Sequence, residues 1–197
     1  MNDNQIRAEY NDDTITVYQA YNSAIAKGAV ENQKFVPPFK MERMTWIKPS
    51  YLWMMYRSGW AQKEGQEHIL KIKIKREGFE WALSNACLSH FDGATHKSHE
   101  SWKASLQESP VRIQWDPEKN MFLEALPYRS IQIGLSGPAV EKYVNEWITE
   151  IEDITEDCKK IHHLITEGKV DEAKTLLPLE EIYTIPAEIG EPIAAMV

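Results

Sequence analysis

The chain predicts a single α+β domain: a mixed, mainly antiparallel sheet with packed helices and a long C-terminal helix. Three observations predict it. Short runs of β-branched and aromatic residues with two-residue alternation recur at 14–21, 43–48, 68–75, 111–115 and 128–135. Helix starts, marked by Asn22-Ser23, Ser50 and Gly137-Pro138, stand between and after those runs. Finally, Val140, Val144, Trp147, Ile151, Ile154, Cys158, Ile161 and Ile165 step by four and three, one apolar stripe on a helix of about seven turns. With 197 residues and 43% hydrophobic content, one domain over 1–197 can bury a real core.

Taken in order, a polar start over 1–13 leads to the strand 14–21, rich in Thr, Val and Tyr. Asn22-Ser23 caps a short helix over 24–30, which runs into Phe35-Val36-Pro37-Pro38-Phe39, a turn or extended link. Residues 43–48 form a short strand, stopped by Pro49, which has no N–H to give a ladder. A helix capped by Ser50 then runs to Gly59. On it Trp53, Tyr56, Arg57 and Trp60 share one face, while Leu52, Met54 and Met55 cover the rest, so it reads as buried nearly all round. Arg57 is expected as a cation inside an aromatic wall, held by an acid or by a bound anion.

In the strand 68–75, Leu70, Ile72 and Ile74 point inward and Lys71, Lys73 and Lys75 outward, a solvated face that can also guard a sheet edge. Residues 78–88 read as a helix and 89–101 as an exposed polar loop, a candidate flap, with no metal assigned to His90, His96 and His99. Asp116-Pro117-Glu118 ends the strand 111–115 as a turn. On the strand 128–135, Ser130, Gln132 and Gly134 form a polar face that meets solvent or lines a pocket. The C-terminal region reads as a helical hairpin over about 137–177 and an extended, proline-punctuated tail over 179–197. The long helix packs on the core or forms a dimer seam, so a monomer or homodimer is expected.

Charge is unevenly distributed. Residues 40–76 hold nine Lys or Arg against three Glu, a balance of +6, whereas the remainder carries 13 against 27, or −14. A basic island in an acidic shell suits a compact, nucleotide-type anionic ligand better than coating of duplex nucleic acid, and leaves room for a short single strand. Two cysteines, Cys87 and Cys158, give no metal or redox spacing. No run approaches a membrane span, and a cytoplasmic protein is expected.

The blocks YQAY at 18–21, RMTWIKPSYLWMMYRSGW at 43–60, VRIQWDPE at 111–118 and RSIQIGL at 129–135 resemble the signature blocks of a family of microbial proteins of about this length, catalogued as a domain of unknown function. More distantly, the order of elements is similar to the ADP-ribosyltransferase fold. There a first strand ends in a polar residue, a second enters a helix bearing Ser and Tyr, and a late strand carries a catalytic Glu. The positions that correspond are Gln19, Thr45 to Ser50 with the following helix, and Gln132. Gln stands at both motif positions, where that fold uses Arg or His and Glu, so glutamate-type catalysis does not carry over directly.

What this resemblance implies is an enzyme that uses NAD as a substrate to modify a protein, nucleic-acid or small-molecule acceptor. Gln132 and Asp116 are its catalytic candidates, with Glu118 and Glu67 as other acids. Gln19, Tyr21, Arg43, Thr45, Trp46, Lys48, Ser50, Tyr56 and Arg57 are the candidates for holding NAD: arginines for pyrophosphate, aromatics for the rings. The alternative is a non-enzymatic nucleotide or single-stranded nucleic-acid binding module using the same aromatic and basic groove.

Overall fold

The computed structural model describes residues 3–195, and its centre is a pair of sheets that meet at one backbone contact. The first sheet has the order β2-β4-β8, with β2 at Thr14–Tyr21, β4 at His68–Lys75 and β8 at Ile148–Asp153. Strands β2 and β4 run antiparallel in unbroken register from Thr14 opposite Lys75 to Tyr21 opposite His68. The second sheet has the order β3-β7-β6-β5: β3 Thr45–Ile47, β7 Ala125–Leu135, β6 Val111–Lys119 and β5 Ala86–Leu88. Only β5 and β6 pair in parallel there. The two sheets are tied where the Tyr18 N–H donates to the Lys48 carbonyl at 2.7 Å. Arg7–Ala8 (β1) pairs with Glu181–Ile182 (β9) as a separate two-stranded ribbon.

Helices cover the sheets: α1 Ser23–Asn32, α2 Tyr51–Ser58, α3 Arg76–Ser84, α4 His99–Glu108, α5 Pro138–Lys142, α6 Thr155–Thr166, α7 Val170–Leu176 and α8 Ala187–Gly190. Their caps follow from sequence. Asn22 Oδ1 accepts from the Ile25 N–H at 3.1 Å, and Ser50 Oγ from the Trp53 N–H at 3.1 Å. Gly59 takes the left-handed conformation that ends α2, with φ of 59°. The main core joins Ile15, Val17, Ile72 and Ile74 to Ile113, Ile133 and Leu135 across the two sheets. A second cluster, built on Tyr18, Tyr51, Met55, Trp60, Ile69, Cys158 and Ile161, packs α2 against α6. No helix among the described residues is long and apolar enough to cross a membrane.

The α+β architecture matches the sequence reading, but several elements differ. The long helix expected from Pro138 to Ile165 is cut into α5, a π-helical turn at Tyr143–Trp147, strand β8 and α6. Its stripe is spent on the interior: Val140, Val144, Trp147 and Ile151 enter the main core, and Ile154, Cys158 and Ile161 the second. The hairpin is α6–α7, and the tail carries β9, α8 and a 3-10 turn at Glu191–Ile193 rather than running extended. Strand β4 is central, so Lys71 and Lys73 guard no edge; they pair with Glu9 at 2.9 Å and Glu150 at 2.7 Å.

Strand β6 passes through Asp116 and Pro117 instead of turning there. A register shift between Pro117 and Lys119 accommodates the missing N–H. The helix expected over 78–88 ends at Ser84, and Ala86–Leu88 becomes β5. The loop expected over 89–101 folds around Phe91, which stacks on His99 at 3.8 Å, and α4 begins within it.

Candidate functional site

The basic segment forms one wall of a cleft of about 640 Å³. The cleft lies where the end of β2, the β3–α2 corner and the 38–44 loop come together. Four cationic side chains line it, Lys40, Arg43, Lys48 and Arg57, together with Gln19, Tyr21, Thr45, Trp46 and Gln132. Among the described residues no Asp or Glu lines it.

Beneath the cleft is a hydrogen-bonded hub. Gln19 Nε2 lies 2.6 Å from Thr45 Oγ1, 3.0 Å from Tyr21 Oη and 3.1 Å from the Trp46 carbonyl. The Tyr143 hydroxyl donates to Gln19 Oε1 at 2.7 Å, and Tyr21 Oη and Thr45 Oγ1 are 3.0 Å apart. Both ends of the Gln19 amide are therefore engaged, and its role is to lock β2 to β3 and hold the cleft floor. Burial pushes the Tyr21 phenol up to about 12, against the opposing hydrogen bonds of Thr45 and Gln19. Trp46 lies across Gly134 of β7; a Cβ there would sit 3.0 Å from the indole and 2.9 Å from Met44 Sδ. Only glycine admits the ring at that spot.

Lys48 is the buried one of the four cations. It is 6% exposed, trapped between the end of β3 and the cap of α2. Its Nζ donates to the Trp46 carbonyl at 3.4 Å and lies 5.4 Å from the Trp53 ring centre. No carboxylate oxygen among the described residues comes within ion-pair distance of it. Burial lowers its pKa to about 7, Arg57 adds to the fall, and Asp116 partly offsets it. Arg57, by contrast, is exposed in the last turn of α2. It is not the walled-in cation expected: Gly59 ends the helix, Trp60 turns away with φ of 55° into the second cluster, and Tyr56 is 44% exposed. Arg43 and Arg57 nonetheless line the same cleft with Trp46.

Gln132 reaches the cleft from β7, opposite Gln114 on β6. Its Nε2 donates to Asp116 Oδ2, and Gln114 Nε2 donates to Asp116 Oδ1 at 2.9 Å. A carboxylate only accepts, so Asp116 fixes which end of the Gln132 amide faces it. Asp116 itself does not line the cleft; it stands behind Gln132.

Two other candidates also lie off the cleft wall. Ser50 caps α2 and donates to Glu118 Oε1 at 2.9 Å, facing a smaller cavity of about 390 Å³ that Glu118 and Glu180 share. Its hydroxyl is consumed by the helix start. Tyr56 packs under Lys119, whose Nζ is 4.0 Å from the ring centre. Glu180 turns its carboxylate inward to accept the Tyr51 N–H at 2.7 Å, and burial pushes it up to about 8.

Phe39, Lys40, Gln66 and Tyr143 were not singled out for the site from sequence. Phe39 and Lys40 carry a signal in hindsight, following the Pro37-Pro38 break that swings them back over β2. Tyr143 carries none, because its pattern reads as a plain helix face.

A search of curated proteins returned no match. The family model described as "Domain of unknown function (DUF4291)" matches residues 5–183, a span that includes both sheets and every residue lining the cleft. The chain belongs to the DUF4291 family.

Proposed function

We propose that the cleft binds NAD and that the protein is an ADP-ribosyltransferase-like enzyme. The observation that carries the reading is the cleft's charge: four cations and, among the described residues, no carboxylate on its wall, next to Tyr21, Phe39 and Trp46. Guanidinium groups grip pyrophosphate through paired hydrogen bonds, and aromatic faces receive the rings. Arg43 and Arg57 take the pyrophosphate in this reading, and Lys48 adds a third donor.

Transfer breaks the bond between nicotinamide and ribose C1. Nicotinamide leaves with the electron pair, positive charge builds on the ribose, and the acceptor's nucleophile bonds to C1 and gives its proton to solvent. With Nε2 held by Asp116, the carbonyl end of Gln132 is the group that meets that charge, and the carboxylate behind it strengthens the dipole. The acceptor is a protein, a nucleic acid or a small molecule.

A second reading has specific support. Because Asp116 stands behind Gln132 and no acid among the described residues lines the cleft, a nucleotide or single-stranded nucleic-acid binding module would need nothing further. Nicotinamide release from NAD by the purified protein, with and without protein and nucleic-acid acceptors, separates the two. Release is expected. Titration calorimetry should show Arg57→Ala weakening NAD binding several-fold, about 1 kcal/mol for an exposed charge-assisted contact. NAD binding without any release moves the assignment to the binding module. No NAD binding refutes the transferase reading and leaves another nucleotide or a single strand as the ligand of the cleft.

A further inference from the structure

We propose that Lys48 is a reactive amine, and that the cleft takes a phosphorylated aldehyde whose phosphate rests on Arg43 and Arg57 and whose carbonyl carbon Lys48 captures as an imine. This rests on the anion-binding part of the reading above and not on NAD.

Lys48 is the only lysine buried among the described residues. Several exposed or half-buried lysines pair with carboxylates, as Lys71 does with Glu9 and Lys169 with Glu167. Lys48 has a carbonyl, an indole face and a neighbouring guanidinium instead. The charged groups that face it are Arg57 and Asp116, and Asp116 is already engaged by Gln132 and Gln114. Desolvation beside a second cation is the arrangement that makes a lysine a nucleophile near neutral pH. A pKa of about 7 leaves a large share of the amine neutral there.

Position supplies the rest. Lys48 lines the same cleft as Arg43 and Arg57, so in this proposal an anion gripped by the guanidinium groups brings its other end to the amine. The step balances without an oxidant. The Nζ lone pair bonds to the carbonyl carbon, and the oxygen takes a proton to give a carbinolamine. Water then leaves as the nitrogen loses its protons and the C=N bond forms. Met44, Trp46 and Met54 give the wall an apolar part that limits hydrolysis of the product.

Pyridoxal 5′-phosphate is the probe, with pyridoxal as the same aldehyde lacking phosphate. Each is incubated with the full chain, reduced with borohydride and mapped by peptide mass spectrometry. One dominant reduced adduct on Lys48 is expected, at least about tenfold over any other lysine. It should disappear in Lys48→Met and weaken several-fold with pyridoxal. Arg57→Gln removes only an exposed side chain and keeps the test valid if Lys48→Met does not fold; labelling of Lys48 should fall there too. Adducts spread evenly over exposed lysines, or equal labelling of Lys48 by pyridoxal, overturn the proposal. Nicotinamide release with Lys48 unlabelled defeats this inference alone. Lys48 labelling that NAD neither competes with nor accompanies by turnover supports it and defeats the NAD reading.

Discussion

Replacing Lys48 by Met should make the protein more stable at neutral pH and remove a defined part of its pH dependence. Met keeps most of the apolar stem and discards the ammonium. In the fold the amine titrates near pH 7, whereas in the unfolded chain it returns to about 10.5. A depressed folded pKa means that the unfolded chain binds the proton more tightly between those values. Stability from this group is therefore complete above 10.5 and is lost as pH falls to 7, at up to about 1.4 kcal/mol per pH unit.

Between pH 7 and 9 the expected gain in the parent protein is about 2 kcal/mol. Glu180, raised to about 8, works in the opposite direction over part of that range. It is present in both proteins and cancels in their difference. The variant also loses the contact with the Trp53 face and the bond to the Trp46 carbonyl, about 1 kcal/mol together while the amine is charged, which offsets only part of the gain at pH 7. Urea denaturation of both proteins at pH 7, 8 and 9 measures the effect. Lys48→Met should be the more stable at pH 7, with the advantage shrinking by about 2 kcal/mol at pH 9. Parallel stability curves would refute the buried, unpaired ammonium, and with it the argument for a reactive amine.

Glu180→Gln retains an acceptor for the Tyr51 N–H while removing a group whose folded pKa is raised to about 8. That carboxyl's contribution is present below about 4.5 and is lost as pH rises through 8, so the variant's advantage should grow over that window; a pH-independent difference would show that the carboxylate is solvated. Gln132→Glu sets two carboxylates where Nε2 now donates to Asp116, and should cost on the order of 1–3 kcal/mol above pH 5 while abolishing ligand binding. Recovery of stability at low pH checks the cause. Gly134→Ala pushes a methyl group into Trp46 and Met44, so thermal melting should report a loss of about 1–3 kcal/mol and calorimetry a weaker ligand. An unchanged melting temperature would place Trp46 elsewhere.

Local signals were legible in the sequence wherever one short stretch carried its own instruction. β-Branched and aromatic content set β2, and alternation β4, to the residue, and Asn22, Ser50 and Gly59 set helix ends through their own hydrogen bonds or backbone freedom. The basic island and its aromatics marked the cleft wall, because like charges and large rings gathered in one segment are visible without a fold. Residues 148–153 lie within a helical stripe, yet they form β8. Strand β4 presents backbone groups on the side away from β2, and only another strand can satisfy them, as Ile72 opposite Ile151 shows. Nothing local encodes that demand.

The same holds for Asp116-Pro117, whose turn propensity yields to pairing with β7, and for Arg57, whose exposure depends on what packs on the other faces of α2. Lys48 makes the division plain. Sequence placed it between two arginines and among tryptophans, but its burial without a carboxylate among the described residues arises from two sheets meeting at Tyr18 and Lys48, a contact between residues 30 positions apart. Chain composition set which charges were available; the approach of distant segments decided which of them lost water.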